Sequence, residues 1–448
     1  MSNTIELPLG RSRHCDDSPS GSEPRRPEKQ SHAQRNYARA VASGFYQRDV
    51  RGLEGKFDNV RRYWEDQITR YVLHPFVVPL VQRKRRSLDR IRILDLGAGS
   101  GEGFELLSNL KKQGESLPAR ELDLMPMETI GEYKGLDISP AMVEQGNEIY
   151  RSNPKVHFAE ADLADGLGAA RNDAPYDIYF SSYSSLSHLR DEGLIQLLTD
   201  ICEHIDGSCV LVADLLGRYS FEWQCYWDQP TDESNMRQYS MSYLYPAEML
   251  DQIEVERFPM RYWGALEFDR LFNRIAREKG VTITNRQLSD RSLVVGRHVN
   301  TAEYNPYVRP IRQAVNSLHA LDRRTDLQEL VFDYIPKPGF DELNHFFERL
   351  QMAWNTVVFE AIDALDHPAA QRERSLDAED GYPEPVQEAV RTIRNVVGNC
   401  QWFRMGDPRA NIVEPQLGYV LRNLEMDLQQ GLGCGHGLLA IYELTSAS

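Results

Sequence analysis

Ile93-Leu94-Asp95-Leu96-Gly97-Ala98-Gly99-Ser100-Gly101 joins an apolar run, an acid and three glycines set two apart. The next residues, Glu102-Gly103-Phe104-Glu105-Leu106-Leu107, read as a helix. Strand, tight glycine turn and helix form the unit by which a parallel sheet offers the carboxyl edge of its first strand to a nucleotide-like ligand. The stretch therefore predicts an α/β domain with a ligand held at the turn.

Strands and helices alternate outward from it. A second strand is expected at residues 133–136, ending at Asp137, and a helix at 140–150, with Ser139 suited to the N-cap and Pro140 to the first turn. A third strand follows at 156–159. A fourth, at 176–180, runs into Ser181-Ser182-Tyr183-Ser184-Ser185-Leu186-Ser187-His188. A helix then carries Leu194, Ile195, Leu197, Leu198 and Ile201, and a fifth strand at 209–213 leads to Asp214. This alternation predicts a parallel sheet. After a helix at 266–279, capped by Gly280, residues 281–288 and 292–296 read as two more strands. The three residues between them are too few for a parallel crossover, so the sheet is expected to close in an antiparallel hairpin.

The flanks differ in kind. Residues 1–35 are rich in Ser, Pro, Arg and Glu and are expected to be disordered. Residues 36–90 read as a helical cap bearing Tyr37, Phe45, Tyr46, Phe57, Tyr63, Trp64 and Tyr71, with Pro75 and Pro79 breaking it into two helices. Residues 91–300 hold the ligand domain. Residues 301–448 are expected to be mainly helical, with helices at 311–321, 327–334, 340–365, 386–397 and 417–429. Then come Gly431-Leu432-Gly433-Cys434-Gly435-His436-Gly437 and an apolar strand at 438–444. A phosphate loop has its strand before the glycines and its helix after them. Here the order is reversed, and the stretch reads as a flexible turn.

Composition narrows the function. With 448 residues the chain is long enough for two or more domains. Its formal net charge of −16 disfavours a nucleic-acid partner, which needs a basic face. The six cysteines form no C-x-x-C pair, so neither a metal site nor a disulfide framework is indicated, and reduced thiols suit a cytoplasmic enzyme. No stretch reaches the length of a bilayer span, so no membrane partner is expected.

Two cofactors compete for the glycine turn. The nicotinamide fingerprint G-x-G-x-x-G places Glu102 at its third glycine when counted from Gly97, and Phe104 when counted from Gly99. Both registers fail. Asp137 ends the second strand, where a carboxylate accepts both hydroxyls of a ribose. Asp162 follows the third strand, where it can accept from an adenine amine. S-adenosylmethionine (SAM) has no phosphate to cradle. Its carboxylate suits the start of the helix after Gly101, and its ammonium suits Asp95 or a loop carbonyl.

In these stretches, with Gly135-Leu136-Asp137-Ile138-Ser139-Pro140-Ala141-Met142, Ala159-Glu160-Ala161-Asp162-Leu163 and Tyr176-Asp177-Ile178-Tyr179-Phe180-Ser181-Ser182, the chain resembles the class I SAM-dependent methyltransferases over residues 62–298. The resemblance implies a Rossmann-like methyltransferase sheet. It implies that Asp95, Gly97, Gly99 and Gly101 line the methionine end of the cofactor. Asp137 with Ile138 would hold the ribose, and Asp162 with Leu163 the adenine, with Ser181 alongside. The C-terminal helices have no counterpart in the minimal family fold.

Methyl transfer needs an acceptor aligned with the sulfonium methyl and, where the acceptor carries a proton, a base. The acceptor is expected above the ends of the fourth and fifth strands. His188 and Asp214 are the catalytic candidates, although His188 also suits a helix end. Tyr183, Arg218, Tyr219 and Trp223 are the substrate-binding candidates, and Arg261 is another of the same kind. The expected function is SAM-dependent methylation of a small molecule. A protein methyltransferase, or a scaffold that uses the helical region to recruit a partner, remains open.

Overall fold

β1 (Ile91–Leu96) is an apolar run whose residues Ile91, Ile93, Leu94 and Leu96 are fully buried, as a strand covered on both faces requires. The computed structural model describes residues 56–112, 122–229, 236–245, 249–305, 309–368, 381–404 and 406–446. The expectations for residues 1–35 and for the start of the helical cap lie outside them.

β2 (Ile130–Asp137), β3 (Val156–Glu160), β4 (Ile178–Phe180) and β5 (Ser208–Gly217) join β1 in a parallel sheet of order β3-β2-β1-β4-β5. The connections carry α2 (Glu102–Ser108), α3 (Pro140–Ile149) and α4 (Asp191–His204). The order reverses between β1 and β4, which opens a crevice at their carboxyl ends.

The far side of the sheet differs from the expected hairpin. β8 (Val281–Arg291) runs straight through the residues expected to form the turn, and Ser292, at φ 59°, then takes the chain out of the sheet. Residues 292–296 form no strand; Leu293, Val294 and Val295 are buried in the core instead. The antiparallel partner of β8 is β9 (Gly437–Ser446), which lies between β5 and β8 and pairs antiparallel with both. The reason is burial. Leu438, Leu439, Ala440, Ile441, Tyr442 and Leu444 are all fully buried, and this apolar run suits an internal strand better than the shorter 292–296 does.

The helices α6 (Ile311–Leu318), α7 (Asp341–Asp366), α8 (Glu384–Asn399) and α9 (Glu414–Leu428) therefore sit in the chain between β8 and β9. In the 327–334 region only a short 3-10 turn, Leu327–Leu330, forms. The extended residues after it are held by α7: the Phe332 and Tyr334 N–H groups donate to the side chains of Asn355 and Gln351. One hydrophobic core runs from Val60 and Trp64 through Ile93 and Phe180 to Val294, Trp354, Ile393 and Leu421. The expected boundary near residue 300 falls inside it.

α5 (Ala265–Glu278) has Lys279 as its C-cap, and Gly280, the expected cap, follows one residue later in the left-handed region at φ 70°. α1 (Asp66–Ser87) is one helix, not two. Pro75 and Pro79 both lie on its exposed face, in line with exposed Tyr71, so the carbonyls they leave unpaired face water. Val72, Leu73, Phe76, Val77, Leu80 and Val81 anchor the other face in the core.

The glycine stretch before β9 is a fixed, buried loop rather than a flexible turn. Buried Asp290 accepts from the backbone N–H groups of Leu432, Gly433 and Cys434 at 2.8 Å each, and from Gly435 at 3.3 Å. A Cβ on Gly433 would stand 2.7 Å from the Trp263 carbonyl oxygen, so only glycine allows that approach. A second hairpin, β6 (Met236–Ser240) with β7 (Arg257–Trp263), is absent from the sequence reading. Its end pairs parallel with Leu216 and Gly217 of β5. Among the described residues, no helix is long and apolar enough to cross a membrane.

Candidate active site

A cavity of about 630 Å³ opens at the switch point. Gly97, Gly99, Asp137, Ile138, Asp162 and Leu163, all expected around the cofactor, line one part of it. Gly97 and Gly99 take φ of 76° and 55°, which glycine tolerates without strain. The Asp137 carboxylate accepts the Gly99 N–H at 2.9 Å through Oδ2 and the Ser139 N–H at 2.8 Å through Oδ1. Each oxygen keeps a lone pair, the acceptor pair that a ribose diol needs. Burial raises its pKa, against those two backbone hydrogen bonds. Ser139 does stand at the N-cap of α3, but its hydroxyl makes no cap hydrogen bond there. Asp162 uses Oδ1 to accept the Ala164 N–H at 2.9 Å; its Oδ2 has no hydrogen-bond partner among the described residues.

Three other expected cofactor residues lie behind this wall. Asp95 is fully buried beneath the loop and accepts the Tyr133 hydroxyl; burial pushes its pKa up to about 7. It does not reach the cavity to meet an ammonium. Gly101, at φ 105°, packs against Tyr150 and Phe158. The Ser181 hydroxyl ties β4 to β5 by accepting the Asp214 N–H at 2.9 Å and donating to the Val212 carbonyl at 3.3 Å. The start of α2 is also taken. Glu102 accepts the Ser100 N–H at 3.1 Å and pairs with Lys56 at 2.5 Å. Burial alone would raise the Glu102 pKa, but Lys56 and Arg61 outweigh it and hold it at about 2.

The catalytic and substrate candidates divide. His188 lines the cavity and stacks on Phe258, ring centroids 5.1 Å apart; burial lowers its pKa to about 4, so the ring is neutral near pH 7. Asp214 does not line it. It is fully buried, accepts the Tyr183 N–H at 2.8 Å and pairs with Arg291 at 3.0 Å, so it holds two lining residues in place. Tyr183 lines the cavity beneath the Arg61 guanidinium, 4.0 Å from its ring centre, and its hydroxyl donates to Asp66 at 2.8 Å.

Arg218, Tyr219 and Trp223 lie outside the cavity. The backbone explains it: the Gly217 N–H donates to the His436 carbonyl, Arg218 to Trp263 and Tyr219 to Gly433, which turns the segment toward the C-terminal loop. Trp223 becomes a buried pillar, its Nε1 donating to the Gly217 carbonyl at 2.9 Å. Arg261 is also structural. It is buried, bonds Asp191 at 2.9 Å and pairs with Glu267 at 2.5 Å.

The rest of the lining escapes the sequence reading. Arg61 and Glu65 come from the turn before α1, Tyr239 and Tyr243 from β6 and its exit, and Phe258 and Met260 from β7. Arg291 ends β8, Arg297 follows it, and His436 precedes β9. Their charges are mostly paired within the fold. Arg297 meets Glu65 at 3.2 Å and lies 5.0 Å from the Tyr243 ring centre; Arg312 joins Glu65 at 2.8 Å and Asp58 at 2.7 Å. Among these, His436 stands in the glycine stretch quoted above, and Phe258 and Met260 stand beside Arg261. The others carry no local signal.

A family model described as a methyltransferase domain matches residues 120–206, from the approach to β2 through α4. Among solved structures the chain is similar to CalS10, an amino pentose methyltransferase from Micromonospora echinaspora. Identity is 13%, TM-score 0.31, and the alignment covers 50% of this chain and 88% of that one. It is similar to PH0226 from Pyrococcus horikoshii at 16% identity and TM-score 0.30, covering 48% and 81%. It is also similar to a chain in the complex between the Haloferax volcanii Trm112 methyltransferase activator and a putative methyltransferase. There identity is 18% and TM-score 0.27, covering 46% of this chain, which spans 65% of that one. No curated protein matches the sequence. Residues 120–206 thus match a methyltransferase domain, and the parallel sheet closed by an antiparallel strand, with its glycine turn flanked by Asp137, suits S-adenosylmethionine as the cofactor.

Proposed function

We propose that the chain transfers the methyl group of SAM to a small-molecule acceptor. One observation carries the reading. The cofactor edge and a second wall of aromatic and arginine side chains enclose the same cavity of about 630 Å³, in the size range of small-ligand sites. SAM supplies a methyl group already activated by its positive sulfur. The chain's part is to bind, orient and exclude water.

Asp137 binds the ribose through the lone pair left on each oxygen, and Asp162 Oδ2 accepts from the adenine amine. Ile138 and Leu163 cover the base with apolar surface. Lys56 and Arg61, the cations that act on Glu102 beside the glycine turn, attract the methionine carboxylate. This replaces the expected role of the start of α2, which Glu102 occupies. The acceptor lies against Tyr183, Tyr239, Tyr243 and Phe258, with Arg291 and Arg297 at its polar side.

Calorimetry with SAM and S-adenosylhomocysteine (SAH) tests the first half: the folded protein should bind both, and no binding overturns the reading. Incubation with methyl-labelled SAM, a metabolite pool and cell-extract proteins tests the second. Label should enter a small molecule; label found only in protein refutes the acceptor class.

A further inference from the structure

Glu222 and His436, far apart in the chain, form a buried pair. Glu222 is fully buried in the turn Phe221–Tyr226, and its Oε2 lies 2.8 Å from His436 Nδ1. Its other neighbours are also donors: the His298 N–H and, at 3.2 Å, the Ser220 hydroxyl. With donors at its other contacts, the Glu222 carboxylate accepts from Nδ1, which therefore carries the ring proton, and Nε2 holds the lone pair. Nε2 has no hydrogen-bond partner among the described residues, and His436 lines the cavity. The ring has little freedom. The His436 N–H donates to the Ser292 carbonyl at 3.0 Å, its carbonyl accepts from Gly217 at 3.1 Å, and Trp223 packs against it at 5.3 Å. Gly296 allows the acid in: a Cβ there would stand 2.2 Å from the Glu222 carboxyl carbon.

We propose that His436 is the general base of the transfer, held in its Nδ1-protonated tautomer by Glu222, and that the methylated atom is a protic oxygen or nitrogen. The proposal rests on the methyltransferase reading. The acceptor O–H or N–H bond breaks and its proton passes to Nε2. The freed electron pair forms the bond to the methyl carbon while the carbon–sulfur bond breaks, its electron pair remaining on sulfur. Glu222 balances the imidazolium charge as a positioning residue. His188, the other lining histidine, is kept a weak base by burial.

The other ionisable groups around His436 hold fixed charge states. Burial holds His298 neutral and keeps the Tyr239 hydroxyl protonated. Glu65 is held anionic by Arg312 and Arg297 against the opposing effect of burial, and Arg291 and Arg297 remain cations.

Histidine-selective 15N NMR of the full chain tests the tautomer without any acceptor. His436 is assigned as the resonance missing in His436→Asn, and it should show its proton on Nδ1 near pH 7. Glu222→Gln should lower the share of the ring that carries its proton on Nδ1. A wild-type ring protonated on Nε2, or a tautomer that Glu222→Gln leaves unchanged, overturns the proposal. In methyl transfer to the acceptor found by the labelled-SAM screen, His436→Asn should be slower by about 10²–10⁴-fold, with SAH affinity unchanged. Transfer as fast as wild type, or an acceptor with no proton on the methylated atom, overturns it. Failure of the wild type to bind SAH counts against the methyltransferase reading instead, and the NMR result still decides the tautomer.

Discussion

The two halves of the cavity are built in opposite ways. In the half proposed to hold the cofactor, Gly97, Gly99, Asp137, Ile138, Asp162 and Leu163 each stand within a few residues of the end of β1, β2 or β3. In the half proposed to hold the acceptor, Arg61, Tyr239, Tyr243, Phe258, Arg291, Arg297 and His436 are spread over nearly the whole described chain. The first half needs a strand to end where its motif says. The second needs β9 seated between β5 and β8, because that pairing brings His436 to the end of β5 and Arg291 opposite Asp214. A binding edge made of strand ends is local; a pocket wall assembled by a late strand depends on the whole topology.

The most drastic way to break the contrast is to end the chain after residue 430. β5 and β8 would both lose their shared partner. We expect no cooperative thermal transition by circular dichroism and no SAH binding. Retained SAH affinity would show that the cofactor half stands alone.

A smaller cut is Asp290→Ala, which leaves four loop N–H groups without their acceptor. Removing a buried charge that satisfies such a set should cost about 3–5 kcal/mol, read as a lower midpoint of chemical denaturation. Where the variant remains folded it should bind SAH as the wild type does, because the damage falls in the acceptor half. Asp137→Ala sharpens the contrast from the other side. It should weaken SAH binding by about 1.5–3 kcal/mol, from lost hydrogen bonds to a charged group, while the near-ultraviolet spectrum of the aromatic wall stays unchanged. Equal SAH affinity for variant and wild type would refute the ribose assignment.

The mildest prediction concerns Glu425 on α9, which accepts from Trp64 Nε1 at 2.7 Å and the Val294 N–H at 2.5 Å, and so joins the N-terminal helices to the exit of β8. Burial raises its pKa from 4.5 to about 7 against those donors. Between those values the folded chain holds a proton that the unfolded chain has lost, so stability falls as pH rises through this window. Glu425→Gln should flatten that part of the denaturation profile by on the order of 1 kcal/mol per pH unit. A profile that keeps the wild-type slope would show that Glu425 is not the group responsible.

The residues show why one half was legible. Asp137 and Gly99 declare themselves because the hydrogen bond between them follows from a glycine turn beside a strand-ending acid. Arg218 and Trp223 misled because their composition suits a substrate clamp, while the backbone hydrogen bonds that turn them away run to Trp263, His436 and Gly433, far along the chain. The run 292–296 misled because an apolar stretch serves equally as strand or core loop, and competition with residues 437–446 decides it. Pro75 and Pro79 broke no helix because both face water, which depends on what covers the opposite face.

From the sequence by itself came the parallel sheet, the glycine turn, the acids at the strand ends and hence the cofactor, because these rest on hydrophobic period and turn chemistry within short windows. Only the tertiary structure decided that the last strand is internal, that the helices lie between β8 and β9, and that Glu222 meets His436. Those outcomes come from burial and hydrogen-bond satisfaction between segments far apart in the chain, and no short window of sequence contains them.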